Sequence, residues 1–258
     1  VGSEMCIRDS SDTYHYSEFE MNVLNTVWDL FLSEPYRDGG SGLNGYDMHG
    51  LRTAVHVDGS INDPSAENKG WSVEVAVPFA ALYEYQKERR APKNGEFYRM
   101  NFSRVQWKAD IKDNTYVKRT NEAGNVLPED NWVWAPTGVI NIHYPELWSF
   151  VFFSDDRDDA PCDITIPEDE YRKWELRKLY YAENILFETT GSYSDSLTVL
   201  QETLAAYAPN DFNKTVKALD YTIETTSHSY LITCPSADGA HLPVSYTHLR
   251  AHETSAHL

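Results

Sequence analysis

The most regular feature of the chain is an alternation of apolar and polar positions over its first 150 or so residues. In residues 16–24, Phe19, Met21 and Val23 fall on one side and Glu18, Glu20 and Asn22 on the other, as in a half-buried strand. Segments of the same kind follow at 26–32, 51–57, 71–77, 97–107, 138–142 and 148–153, separated by turn-rich stretches such as RDGGSGLNG and DGSINDPSAENKG. A short helix is predicted at 79–89, where Pro78 suits a first turn. So many strands with so little helix predict a mainly β domain, an antiparallel β-sandwich.

The period changes after an acidic stretch, 155–166, that reads as a linker. Tyr171, Trp174, Lys178, Ala182 and Ile185 share one helical stripe, with Leu179 and Leu186 beside it, residues 167–170 as a start and Gly191 as a stop. Leu197, Leu200, Leu204 and Tyr207 repeat at helical spacing before Pro209, and 216–224 with 229–234 alternate around TTSH as a hairpin. Residues 167–242 are therefore expected to form a small α+β tail of two helices and a hairpin. The two ends, 1–10 (VGSEMCIRDS) and 243–258 (PVSYTHLRAHETSAHL), share no period with their neighbours and resemble translated adaptor sequence. They are expected to stand outside the fold, which leaves 11–154 for the sandwich.

Charge and composition narrow the function. Twenty-two Lys and Arg stand against 40 Asp and Glu, a net charge of −18 that repels a phosphate backbone and argues against a nucleic-acid partner. No apolar run approaches the roughly 20 residues of a membrane span. Cys6, Cys162 and Cys234 lack zinc-ligand spacing, and with Cys6 set aside only a Cys162–Cys234 bridge is available. Six of the seven tryptophans lie between Trp28 and Trp148, several beside polar or turn residues. Sugar recognition needs that mixture, because a pyranose face stacks on an aromatic ring while polar side chains bond its hydroxyls. The competing place for each tryptophan is the core.

Five stretches carry a more specific likeness: HYSEFEMNVLNTVWDLFLSEPYRDGG, HGLRTAVHVDGSIND, KGWSVEVAVPFAAL, YRMNFSRVQW and PEDNWVWAPTGVINIHYPELWSFVFF. In this order they cover most of 14–153 and resemble a carbohydrate-binding domain of the family 9 type, found in polysaccharide-degrading bacteria. WELRKLYYAENILFETTGSYSDSLTVL is similar to a tail that often follows it. The resemblance implies a non-catalytic module that binds an oligosaccharide or polysaccharide during glycan breakdown, in an extracellular or periplasmic setting and without a cofactor. It also implies that Ser11 enters the domain partway, with upstream strands and a signal peptide lying before it.

Xylanase-attached members clamp a sugar between two tryptophans, backed by acidic, Arg and Asn side chains. Their strand QFRVN matches EFEMN here, so Glu20 stands in place of the Arg, reversing the charge, and Asn22 matches the Asn. The second clamping tryptophan falls at Ile142 and His143, with Asn141 near the polar partner. The candidate carbohydrate-binding residues are thus Glu20, Asn22, Trp28, Arg37, Trp134, Asn141 and His143. Arg37 and His143 join the set because loops carry binding groups, and Trp134 and Asn22 are expected on one ligand-facing side. Arg104, which alternates with Met100 and Phe102, is expected to point inward to a carboxylate such as Glu20 or Glu74.

Three other chemistries are open to these residues. A glycoside hydrolase would use two of Glu18, Glu20, Glu74 and Glu129 across a scissile bond. A haem-binding electron-transfer sandwich would draw on Met21, Met48, His56 and His143. The acidic loop 58–67 offers oxygen ligands for a structural calcium ion.

Overall fold

The computed structural model describes residues 2–9, 15–84, 89–138, 142–156, 161, 164–209 and 212–247, with backbone alone at 2–9 and 243–247. The protein is mainly β, with 32% of residues in strands against 21% in helices. It divides into two compact units, residues 1–137 with 141–162, and residues 163–258 with 138–140.

The first unit contains β1 (Gly2–Asp9), β2 (Tyr16–Asn22), β3 (Val27–Leu32), β4 (Arg52–Asp58), β5 (Gly70–Ala76), a one-turn helix α1 (Phe79–Leu82), β6 (Phe97–Gln106), β7 (Ala109–Lys112), β8 (Thr115–Lys118), β9 (Asp130–Val133) and β10 (Ser149–Phe152). An antiparallel sheet runs β10-β6-β1-β2-β3, and β9 also pairs with β6. Because β1 occupies one edge of β6 from Tyr98 to Val105, β10 (at Phe97–Met100) and β9 (at Ser103–Gln106) share its other edge end to end. The ladders β4–β5 and β7–β8 are separate two-stranded hairpins.

Register assigns each side chain of the large sheet to a face. One face, here the Phe19 face, presents Phe19, Met21, Val27, Tyr98 and Met100, and Met48, Ala81, Val55, Val75, Val77 and Leu82 pack on it. The opposite, Glu20 face presents Tyr16, Glu18, Glu20 and Asn22 from β2, Trp28, Leu30 and Leu32 from β3, and Arg99, Asn101 and Ser103 from β6. At one end of it Trp148 is buried with Tyr16, Leu30 and Leu32, edge-on to Tyr16 at 5.1 Å. Its indole N–H donates to the Ile142 carbonyl at 2.6 Å. Arg99, fully buried, donates through Nη1 to the carbonyls of Glu146 (3.0 Å) and Trp148 (2.9 Å). These bonds pin segment 142–148 over that end of the face.

Several expectations change here. Residues 2–9, expected outside the fold, form the strand between β2 and β6. A slot flanked by two strand edges is filled through backbone hydrogen bonds, which ask little of side-chain pattern. The helix expected at 79–89 ends at Leu82, and 85–88 lie outside the described residues. The strand expected at 138–142 is absent at Gly138 and Ile142, with 139–141 outside the described residues. The β7–β8 hairpin was not expected, since its turn uses Asp113 (φ 50) and Asn114 (φ 57) in the left-handed region without a glycine to announce it.

The second unit holds α2 (Glu168–Thr190), α3 (Leu197–Tyr207), β11 (Thr222–Thr225), β12 (Ser229–Pro235) and β13 (His241–Thr247), the strands forming an antiparallel sheet β11-β12-β13. Pro167 precedes α2, three acidic residues fill its first turn, and Gly191 (φ 76) ends it by donating its N–H to the Phe187 carbonyl. Leu176, Leu179, Tyr180 and Ala182 pack with Leu200, Leu204, Tyr230, Ile232 and Cys234. Lys178 and Ala182 of the expected stripe are buried, with Leu179 beside them, whereas Tyr171 at its start and Tyr207 at the end of α3 are exposed. The buried Lys178 is met by an ion pair: its Nζ reaches Glu175 (2.9 Å) and the Thr215 carbonyl (2.6 Å), while Glu175 also accepts the Lys217 N–H (2.8 Å). Residues 216–220 are consequently tied to α2 rather than paired in a strand. The expected hairpin gains a third strand, β13, that runs past residue 242; Pro243 is tolerated because β13 is an edge. Cys234 is a buried free thiol, so the Cys162–Cys234 bridge is not formed, and Cys162 itself lies outside the described residues.

Candidate functional site

The β2–β3 hairpin organises the open end of the Glu20 face. Glu20 and Trp28 are register partners, so carboxylate and indole stand side by side at cross-strand distance. Trp28 is 48% exposed. Glu20 is exposed overall, yet partial burial of its carboxyl raises its pKa above the ordinary range. Asn22 shapes the turn: its Oδ1 accepts the N–H groups of Leu24 (2.9 Å) and Thr26 (3.1 Å).

Beside this open end the same face becomes buried. Glu18 is buried, with its Oε2 3.5 Å from Nδ1 of His143, and burial lowers the His143 pKa so that the imidazole is neutral near pH 7. Tyr36 stands edge-on to His143 at 4.8 Å. The neighbouring Arg37 pairs with Glu146 at 2.7 Å and lies over the Tyr144 ring at 5.0 Å. Arg37 and His143 thus belong to the junction that holds 142–148 in place, at the covered end of the face that carries Glu20, Asn22 and Trp28.

Two expected partners lie elsewhere. Trp134 donates its backbone N–H to the Phe102 carbonyl (3.0 Å) and packs edge-on against the Phe102 ring at 5.1 Å, which puts it on the Phe19 face, opposite Asn22. Arg104 is exposed rather than inward. It donates to Gln106 Oε1 (2.8 Å) and reaches the Trp132 ring at 5.7 Å. Glu20 is on the other face and cannot meet it. Asn141 lies outside the described residues.

Asn101 and Ser103 were missed from sequence. Both are buried on the Glu20 face, and among the described residues neither Nδ2 nor Oδ1 of Asn101, nor Ser103 Oγ, has a hydrogen-bond partner. Buried polar groups without partners are uncommon and point to an absent one. The signal was legible in the run Arg99, Asn101, Ser103, polar at every second position against Tyr98, Met100 and Phe102.

The other chemistries find less support in geometry. Glu18 and Glu20 sit two residues apart on one strand, about 6.6 Å along it, side by side rather than across a gap, and Glu18 is buried. Met21 and Met48 are packed on the Phe19 face, His56 is exposed on β4, and His143 is on the Glu20 face, so these four side chains do not converge. In the loop 58–67, Asp63 accepts the N–H and hydroxyl of Ser65, and its carbonyl accepts from Asn68. Among the described residues no group of three or more His, Cys, Asp or Glu side chains gathers.

Comparison with protein-family models, with curated proteins and with solved structures returns no match.

Proposed function

We propose that the first unit is a non-catalytic carbohydrate-binding module, an antiparallel sandwich of the family 9 kind, that holds oligosaccharides of plant or algal polysaccharides during extracellular or periplasmic glycan breakdown. The observation that carries this reading is the half-exposed indole of Trp28 standing in register with the carboxylate of Glu20. An apolar ring face beside a partly desolvated acceptor is the pairing that a pyranose needs, one for its C–H face and one for its hydroxyls. Asn101 and Ser103 on the same face add orphaned donors and acceptors that a bound sugar or its water would satisfy. A shallow site of this kind yields about −4 to −8 kcal/mol, a millimolar to micromolar Kd.

Calorimetry of the full chain against a panel of neutral oligosaccharides, run beside a reducing-sugar assay, tests the reading. Trp28→Ala and Glu20→Gln are expected to weaken affinity about tenfold each while leaving the melting temperature within a few degrees, since both side chains are exposed. Release of reducing sugar abolished by Glu20→Gln would instead establish a hydrolase.

A further inference from the structure

We propose that the corner of the first unit where β6, β9 and the β7–β8 hairpin meet is a second glycan surface, which takes an acidic polysaccharide built of uronate rings. The site is separate from the Trp28 site, and either can fail alone.

The corner inverts the charge of the chain. Residues 104–119 together with β9 carry five cations, Arg104, Lys108, Lys112, Lys118 and Arg119, against three carboxylates, Asp110, Asp113 and Asp130, in a protein of net charge −18. Two of the cations are neutralised, Lys108 by Asp130 at 3.6 Å and Arg119 by Asp110 at 2.9 Å. Among the described residues no carboxylate lies within ion-pair distance of Arg104, Lys112 or Lys118. At ordinary ionic strength a charge is felt over about 10 Å, so a ligand at this corner meets the cationic balance of the corner rather than the net charge of the chain.

The cations are held by aromatic rings. Lys118 Nζ sits 3.3 Å from the centre of the Trp107 ring, and Arg104 reaches Trp132 while its Nη2 is fixed on Gln106. Such contacts position a charge without neutralising it. The aromatic surface is open: Trp132 is 62% exposed and Trp134 50%. They are two residues apart at the end of β9, about 6.6 Å along the strand, on the face that carries Arg104 and Phe102. A stacked pyranose lies flat on an indole, and its ring carboxylate then projects sideways, where a fixed guanidinium or ammonium meets it with charge-assisted hydrogen bonds. Exposed indoles alternating with unneutralised cations therefore match a chain whose every ring offers an apolar face and a carboxylate.

Affinity electrophoresis of the full chain in gels containing polygalacturonate, a neutral galactan or dextran sulfate tests the proposal. The wild type is expected to be retarded by polygalacturonate and not by galactan, less so as sodium chloride is raised. The pair Arg104→Gln with Lys118→Gln, and separately Trp132→Ala, should raise the apparent Kd about tenfold. Lys112→Gln, at an exposed position, should weaken retention by a smaller factor and serves if the double variant does not fold. Trp28→Ala should leave polygalacturonate retention unchanged, which separates this surface from the Trp28 site. Retardation by dextran sulfate alone, tighter binding of a single-stranded oligonucleotide than of polygalacturonate, or retention insensitive to both Lys112→Gln and Trp132→Ala would overturn it.

Discussion

Asn22 shows how one side chain can be legible in position and misleading in role. Alternation put it on the face of Glu20, where it stands, but its carbonyl oxygen is committed to the turn that joins β2 to β3. Replacing it by Ala removes two hydrogen bonds from an exposed turn, so Asn22→Ala should lower stability by about 1 kcal/mol, read by urea denaturation, while Asn22→Asp keeps the acceptor and most of the stability. Any loss of sugar affinity in Asn22→Ala should then track the turn and be absent in Asn22→Asp. Glu20 and Trp28 were readable because strand period alone decides their side. Trp134 was not, since its face follows from the register of β9, a four-residue strand too short to display a period. Arg37 and His143 were readable as polar loop groups, but their partners Glu146 and Glu18 lie 109 and 125 residues away along the chain, beyond what local pattern conveys.

At the scale of elements, the helices of the second unit were the most predictable parts of the protein, bounded by Pro167 and Gly191 as their chemistry requires. What the helical stripe could not convey is that α2 also buries charge. Glu183 is fully buried, and its pKa is pushed up to about 7 by desolvation, against the pull of the Ser194 N–H and with a further push from Asp195. An unfolded glutamate releases its proton near pH 4.5, so between that pH and about 7 the folded unit holds a proton that the unfolded chain has lost. Stability of the second unit should therefore fall as pH rises across this window. Glu183→Gln, which keeps an acceptor for Ser194, should flatten the dependence and stabilise the unit at pH 8 by about 2 kcal/mol. Urea unfolding followed by helical circular dichroism, a signal dominated by α2 and α3, checks both.

For the whole molecule, the balance of strand and helix was set by periods visible along the chain, whereas the pairing of strands was not. The sheet order places β1 beside β6 and β10 beyond it, contacts separated by about 90 and 50 residues, and nothing local distinguishes those neighbours from others. The same arrangement gives β6 an unusual position. Its edge opposite β1 is shared by β10, in register as far as Met100, and β9, in register from Ser103, with the Trp134 N–H bonding the Phe102 carbonyl where the two partners change over. Backbone protection should be discontinuous along that edge. The two short partners can detach one at a time, each opening costing less than release of the whole sheet. Native-state hydrogen exchange should therefore resolve β10 and β9 as two independently breathing segments, which meet above the buried Asn101 side chain on β6.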